Sequence, residues 1–76
     1  MPLNITVITP REVIFEGEAE SVLLPGEAGI FEVLPYHKRL ISRLISGELF
    51  IDQQGIKIRR GAVKVNQNKV TVIIEE

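Results

Sequence analysis

Turn-forming residues recur about every eight to twelve positions along the chain, and the short runs between them are dominated by Val and Ile. That rhythm is the strongest constraint on the fold, because it breaks the chain into strand-length pieces and requires no helix anywhere. Branched side chains lose little on a pleated surface and pack well there, so the same runs favour strands on their own account. The expectation is an all-β chain: a small flattened β-sandwich or barrel of about eight to ten short strands, forming one domain over residues 1–76. A chain of 76 residues with 45% hydrophobic content can close a packed core. It buries only about 60% of its unfolded surface, so its stability should be modest.

The individual segments carry this pattern. Asn4 to Ile8 alternates as a strand, Thr9-Pro10-Arg11-Glu12 supplies a turn with a proline-preset angle, and Val13-Ile14-Phe15 begins the return. Gly17 interrupts the β-patterned stretch from Val13 to Leu24, which points to a bulge or bend there and to two short strands sharing the segment. Leu40 to Ile45 is ambiguous, since Leu40/Leu44 and Ile41/Ile45 also fit a helical stripe; branched content and the nearby Gly47 favour a strand. Glu48 to Arg59 reads as a hairpin turning at Gln53-Gln54-Gly55. Gly61 to Ile74 reads as a second one turning at Asn66-Gln67-Asn68, where Asn tolerates left-handed geometry.

Charge and composition narrow the function classes. Nine basic and ten acidic side chains leave a net charge of -1, so no whole-molecule field draws in nucleic acid, and a protein partner is favoured. Zero cysteines exclude a disulfide framework and thiolate catalysis. No apolar run approaches the ~18 residues of a membrane span, and Met1-Pro2-Leu3-Asn4 lacks the features of a signal peptide.

No constellation of an enzyme stands out. His37 is the single histidine, with no acidic neighbour nearer in sequence than Glu32, so neither a metal site nor a nucleophilic triad assembles around it. Gly26 and Gly29 lack the Gly-Lys-Ser/Thr ending and the following helix of a phosphate loop, and read instead as a turn with left-handed residues that brings Phe31 into the core. Glu16, Glu18 and Glu20 share one side at period two, as a solvated face does. Lys57, Arg59, Arg60 and Lys64 form a basic cluster, but Phe15, Phe31, Tyr36 and Phe50 lie away from it and offer no base-stacking platform. In Leu34-Pro35-Tyr36 the proline-bearing turn either holds the ring outward as an interface anchor or lets it enter the core.

Three stretches, in order, carry a family likeness. The run Leu24-Pro25-Gly26-Glu27-Ala28-Gly29-Ile30-Phe31-Glu32-Val33-Leu34-Pro35-Tyr36-His37 resembles the Leu-Pro-Gly-x-x-Gly-x-Phe-Gly-Val-Leu-Pro-Gly-His signature of the N-terminal β-sandwich of F-type ATP synthase epsilon subunits. Asn4 to Glu18 is similar to that family's first hairpin, and Gly61 to Val65 with Asn68 to Val72 resembles its close. Glu32 and Tyr36 stand where the family usually has glycine, and Lys38-Arg39 replace its common Ala-Pro.

The resemblance implies a non-catalytic rotor subunit with no cofactor, metal or small-molecule substrate. In that role it couples the gamma subunit to the c-ring during proton-driven ATP synthesis, peripheral to the cytoplasmic face of a bacterial inner membrane or its organelle equivalent. It further implies that contacts to gamma or the c-ring come from Gly26, Glu27, Gly29, Phe31, Pro35, Tyr36, His37 and Lys38. Family members commonly continue into a two-helix C-terminal domain that binds ATP and restrains rotation, and the end at Glu75-Glu76 implies that this activity is absent. The alternatives are a small nucleic-acid-binding barrel using the basic cluster, and an enzyme subunit in which His37 acts with groups of another chain.

Overall fold

The computed structural model describes residues 2–36 and 38–75. Among them are nine strands and no helix: β1 (Leu3–Ile8), β2 (Val13–Ala19), β3 (Val22–Gly26), β4 (Gly29–Val33), β5 (Leu40–Leu44), β6 (Gly47–Ile51), β7 (Gln54–Ile58), β8 (Arg60–Asn66) and β9 (Lys69–Glu75). Hydrogen bonding places five in the order β2-β1-β9-β8-β5, and β3 continues the ladder to β6 and β7 while pairing β4. Only β1 and β9 run parallel.

The sheet folds over on itself. Leu44 of β5 sits opposite Gly26 of β3, and the next residue, Ile45, donates its N–H to the Pro25 carbonyl at 2.8 Å. The chain then passes through Ser46 into β6, which continues along β3 with Phe50 opposite Leu23. One antiparallel path therefore serves both halves, and the inner faces of the two halves meet in a single cluster. Leu3, Ile5, Val7, Val63, Val65, Val70, Val72 and Ile74 come from one half, and Val22, Leu24, Val33, Leu49, Ile51 and Ile58 from the other. They alternate along their strands with exposed residues, as a sheet buried on one face requires. No polar or charged residue is buried among those described, so apolar burial is the dominant cohesive term.

The hairpins form where turn chemistry permits. Gln67 and Asn68 connect β8 to β9 with φ of 51° and 64°, the paired left-handed geometry that suits the twist of a two-residue hairpin. The β6–β7 turn is Asp52-Gln53, with Ile51 facing Gln54, one step earlier than the sequence indicates. Gly55 thus lies in a strand opposite Phe50, where a Cβ would come within 3.0 Å of that ring.

The corner between β2 and β3 is not at Gly17. Gly17 pairs regularly with Ile5, and the register shift falls at Val7/Ile8, leaving Ile14 as the extra residue. The chain bends at Glu20-Ser21, whose two N–H groups both donate to Asp52 Oδ1, at 3.0 and 3.1 Å. A carboxylate 31 residues away in sequence thus decides where the strand breaks.

Candidate protein-docking surface

The signature segment folds as the β3–β4 hairpin and the loop beyond it. Leu24 and Pro25 are buried, Glu27-Ala28 make the turn, and Gly26 faces Gly29 across it. Of the two glycines only Gly29 has positive φ, 127°, a conformation that strains any side chain. Gly26 is there for space, since a Cβ on it would lie 2.8 Å from Phe31 Cε1. The Phe31 ring thus lies over bare backbone, half-buried against the core, as aromatic rings often do beside a glycine in a sheet.

Beyond Gly29 the alternation holds. Phe31, Val33 and Pro35 turn inward while Ile30, Glu32, Leu34 and Tyr36 are exposed. Ile30 is 75% and Tyr36 73% accessible, the values of side chains standing on the surface. β4 pairs only with β3, so this exposed row, apolar but for Glu32, runs along an unpaired edge. Tyr36 is thereby placed outward. Its φ of 69° is a left-handed conformation that costs a side-chain-bearing residue roughly 1–2 kcal/mol. The Tyr36 N–H donates to Asn68 Oδ1 at 2.6 Å. Such a bond returns on the order of 1 kcal/mol. Lys38 and Arg39 are exposed, and His37 lies outside the described residues.

Sequence neighbours within the signature are not neighbours in space. Gly26, Glu27 and Gly29 sit at the hairpin tip, where Glu27 borders a shallow cleft of about 500 Å³ with Pro10, Arg43, Ala62 and Ile73 on its walls. Pro35, Tyr36 and Lys38 lie at the other end, beside the β8–β9 turn. At ~3.3 Å per residue the seven residues of β8, which run from the cleft to that turn, span roughly 20 Å. The longest dimension of the molecule is 29 Å, so the signature reaches nearly from pole to pole.

At the cleft pole the outer face is apolar. Val13 pairs with Ile8, Ile8 with Ile73, and Ile73 with Ala62, a row straight across four strands. Val13 and Ile73 are at least half-exposed, and Ile45, also exposed, directly follows Leu44 of the cleft wall. Sequence inspection did not single out this row, because its members come from four separate strands.

The basic cluster does not form a strip. Arg60 Nε donates to Glu75 Oε2 at 3.1 Å, Lys57 faces Glu48 across the β6–β7 pair, and Lys64 lies on β8, which is not paired to β7. Glu16, Glu18 and Glu20 are solvent-exposed. Among the described residues, no three His, Cys, Asp or Glu side chains come together as a metal site.

Comparison with known proteins gives consistent relatives. The family described as "ATP synthase, Delta/Epsilon chain, beta-sandwich domain" matches residues 2–76. The ATP synthase epsilon chain of Sulfurimonas denitrificans is 41% identical over 78 aligned positions, covering 96% of this chain and 60% of that protein. That of Nitratiruptor sp. is 38% identical with the same coverage. The chain therefore spans about 60% of the length of these curated relatives. Among solved structures, a chain of the Euglena gracilis mitochondrial ATP synthase superposes with a TM-score of 0.86 at 20% identity, covering 99% of this chain and 51% of that one. A chain of the Tetrahymena thermophila mitochondrial ATP synthase central stalk and c-ring does so with 0.83 at 11% identity, covering 100% and 65%. At these identities the superpositions establish the fold.

Proposed function

The chain belongs to the ATP synthase delta/epsilon-chain beta-sandwich family, and from that premise we propose that it is a non-catalytic coupling element of the central stalk of an F-type ATP synthase. It joins the gamma subunit to the c-ring, peripheral to the membrane, on the cytoplasmic face in a bacterium. The observation that carries this is the division of the signature between two poles of one hairpin, because a coupling element needs two separated docking surfaces on one folded body.

The surface suffices for two partners. The molecule exposes 5130 Å², and a standard interface takes about 800 Å² from each side, so two such contacts use less than half of what is available. Each pole has exposed apolar side chains with charged neighbours: Ile73, Val13 and Ile45 near Arg43 and Glu27 at one, Leu34 and Tyr36 near Lys38 and Arg39 at the other. An apolar centre with a polar rim is the common composition of a stable protein interface. Torque passes through the continuous ladder between the poles, and no group is required to change protonation or form a covalent bond.

Titration calorimetry against the gamma subunit from the same source should give saturable one-to-one binding. Single cysteines at Ala28 and Tyr36, cross-linked within the assembled rotor, should capture different partners, one gamma and the other a c subunit. Absence of gamma binding, or capture of one partner from both positions, would overturn the proposal.

A further inference from the structure

Tyr36 and Asn68 are 32 positions apart, yet the Tyr36 N–H and Asn68 Oδ1 are joined at 2.6 Å. Asn68 is itself held firmly. Its carbonyl accepts the Asn4 N–H at 2.8 Å, and its backbone forms the second left-handed position of the β8–β9 turn. It therefore projects its amide from the most regular part of the fold, where β9 is hydrogen-bonded on one side to β8 and on the other to β1.

At the other end of the bond stands an unfavourable arrangement. Tyr36 holds a left-handed backbone that glycine would adopt freely, and its ring is 73% exposed, so the domain gains little packing from it. Strain that the side chain does not offset by packing within the domain points to a use outside it. The turn at 67–68 does not need asparagine either, because glycine satisfies the second position of such a turn equally well. Two residues that the isolated fold could replace by glycine are thus bonded to each other.

We propose that Asn68 is a positioning residue: its amide oxygen latches the Tyr36 turn and so fixes the outward placement of the exposed ring, with Leu34 on the same side. That the ring is a docking element rests on the stalk assignment above; the latch itself does not. Pre-ordering the loop removes an entropic cost that binding would otherwise carry.

Variants N68G and N68D of the whole chain separate latch from turn, since glycine and aspartate both tolerate the left-handed backbone and only aspartate keeps a side-chain acceptor. Amide hydrogen exchange followed by NMR should be roughly ten-fold faster at Tyr36 in N68G, unchanged at Val70 and Val72, and near native in N68D. Docking to the purified gamma–c-ring assembly should weaken about ten-fold in N68G and recover in N68D. Y36G should melt higher than the native chain yet dock at least about ten-fold more weakly. The latch is overturned if N68G leaves Tyr36 exchange within about two-fold of native, or speeds every amide equally. The anchor is overturned if Y36G docks as tightly as native. If the native chain itself does not dock, the stalk assignment fails, while the exchange comparison still upholds or removes the latch.

Discussion

The β1–β9–β8 slab and the β3–β4 hairpin are built from similar residues and sit in opposite settings. In the slab every second side chain, from Leu3 through Val7 and from Val70 through Ile74, is at most 2% exposed, and β9 and β1 have a hydrogen-bonded neighbour on each side. In β4 and its extension only Val33 is fully buried, while Ile30, Leu34 and Tyr36 stand in solvent along an unpaired edge. An apolar residue at slab positions contributes to cohesion, whereas one on the outer side of β4 contributes nothing to it. Apolar content alone thus does not say whether a strand's side chains hold the fold together; the number of its neighbours does.

Substitutions should fall on one side or the other of this division. The largest effect is expected in the slab: Ile5→Ala, at 1% exposure, should lower stability by about 3 kcal/mol through lost burial and the cavity left behind. At ~4–8 °C per kcal/mol for a domain of this size, calorimetry would register a fall of more than about 10 °C, and a loss no larger than that at a surface site would erase the distinction between slab and edge.

Gly26→Ala tests the hairpin's own attachment. The added Cβ must displace the Phe31 ring, for an expected cost of about 1–3 kcal/mol, and urea unfolding should show it with an unchanged m-value. Asp52→Ala should cost about 1–2 kcal/mol, because the Glu20 and Ser21 N–H groups lose their acceptor at the corner joining the two regions. Asp52→Asn, which keeps Oδ1, should stay within about 0.5 kcal/mol of native and sharpens that assignment. Smallest in stability is Ile30→Ser, at 75% exposure, expected within about 0.5 kcal/mol of native; cross-linking or calorimetric docking should nevertheless weaken by about ten-fold if the outer row of β4 is a contact surface.

Much of the fold was legible along the chain because its cues are local. Period-two alternation marked β1, β8 and β9, and Asn66-Gln67-Asn68 marked their turn, since both signals arise from residues adjacent in sequence. Leu40–Leu44 could not be settled by period and became a strand through its pairing with β8. Gly17 and Gly55 looked like breaks and are ordinary strand positions beneath Phe15 and Phe50, because in a sheet a glycine can serve a neighbouring ring as well as a turn. The signature itself was readable, but its partition was not. That Tyr36 faces outward, that Asn68 holds it, that Asp52 sets the β2–β3 corner and that Glu27 lies a full strand length from Lys38 all depend on which segments meet after the sheet folds over. Torsional preference and alternation along the chain were enough for most of the strands and for the β8–β9 turn. The separation of the two poles proposed for docking came only from the folded sheet, because a side chain's exposure and its partners across more than 30 residues are properties of pairing and closure, for which no local pattern exists.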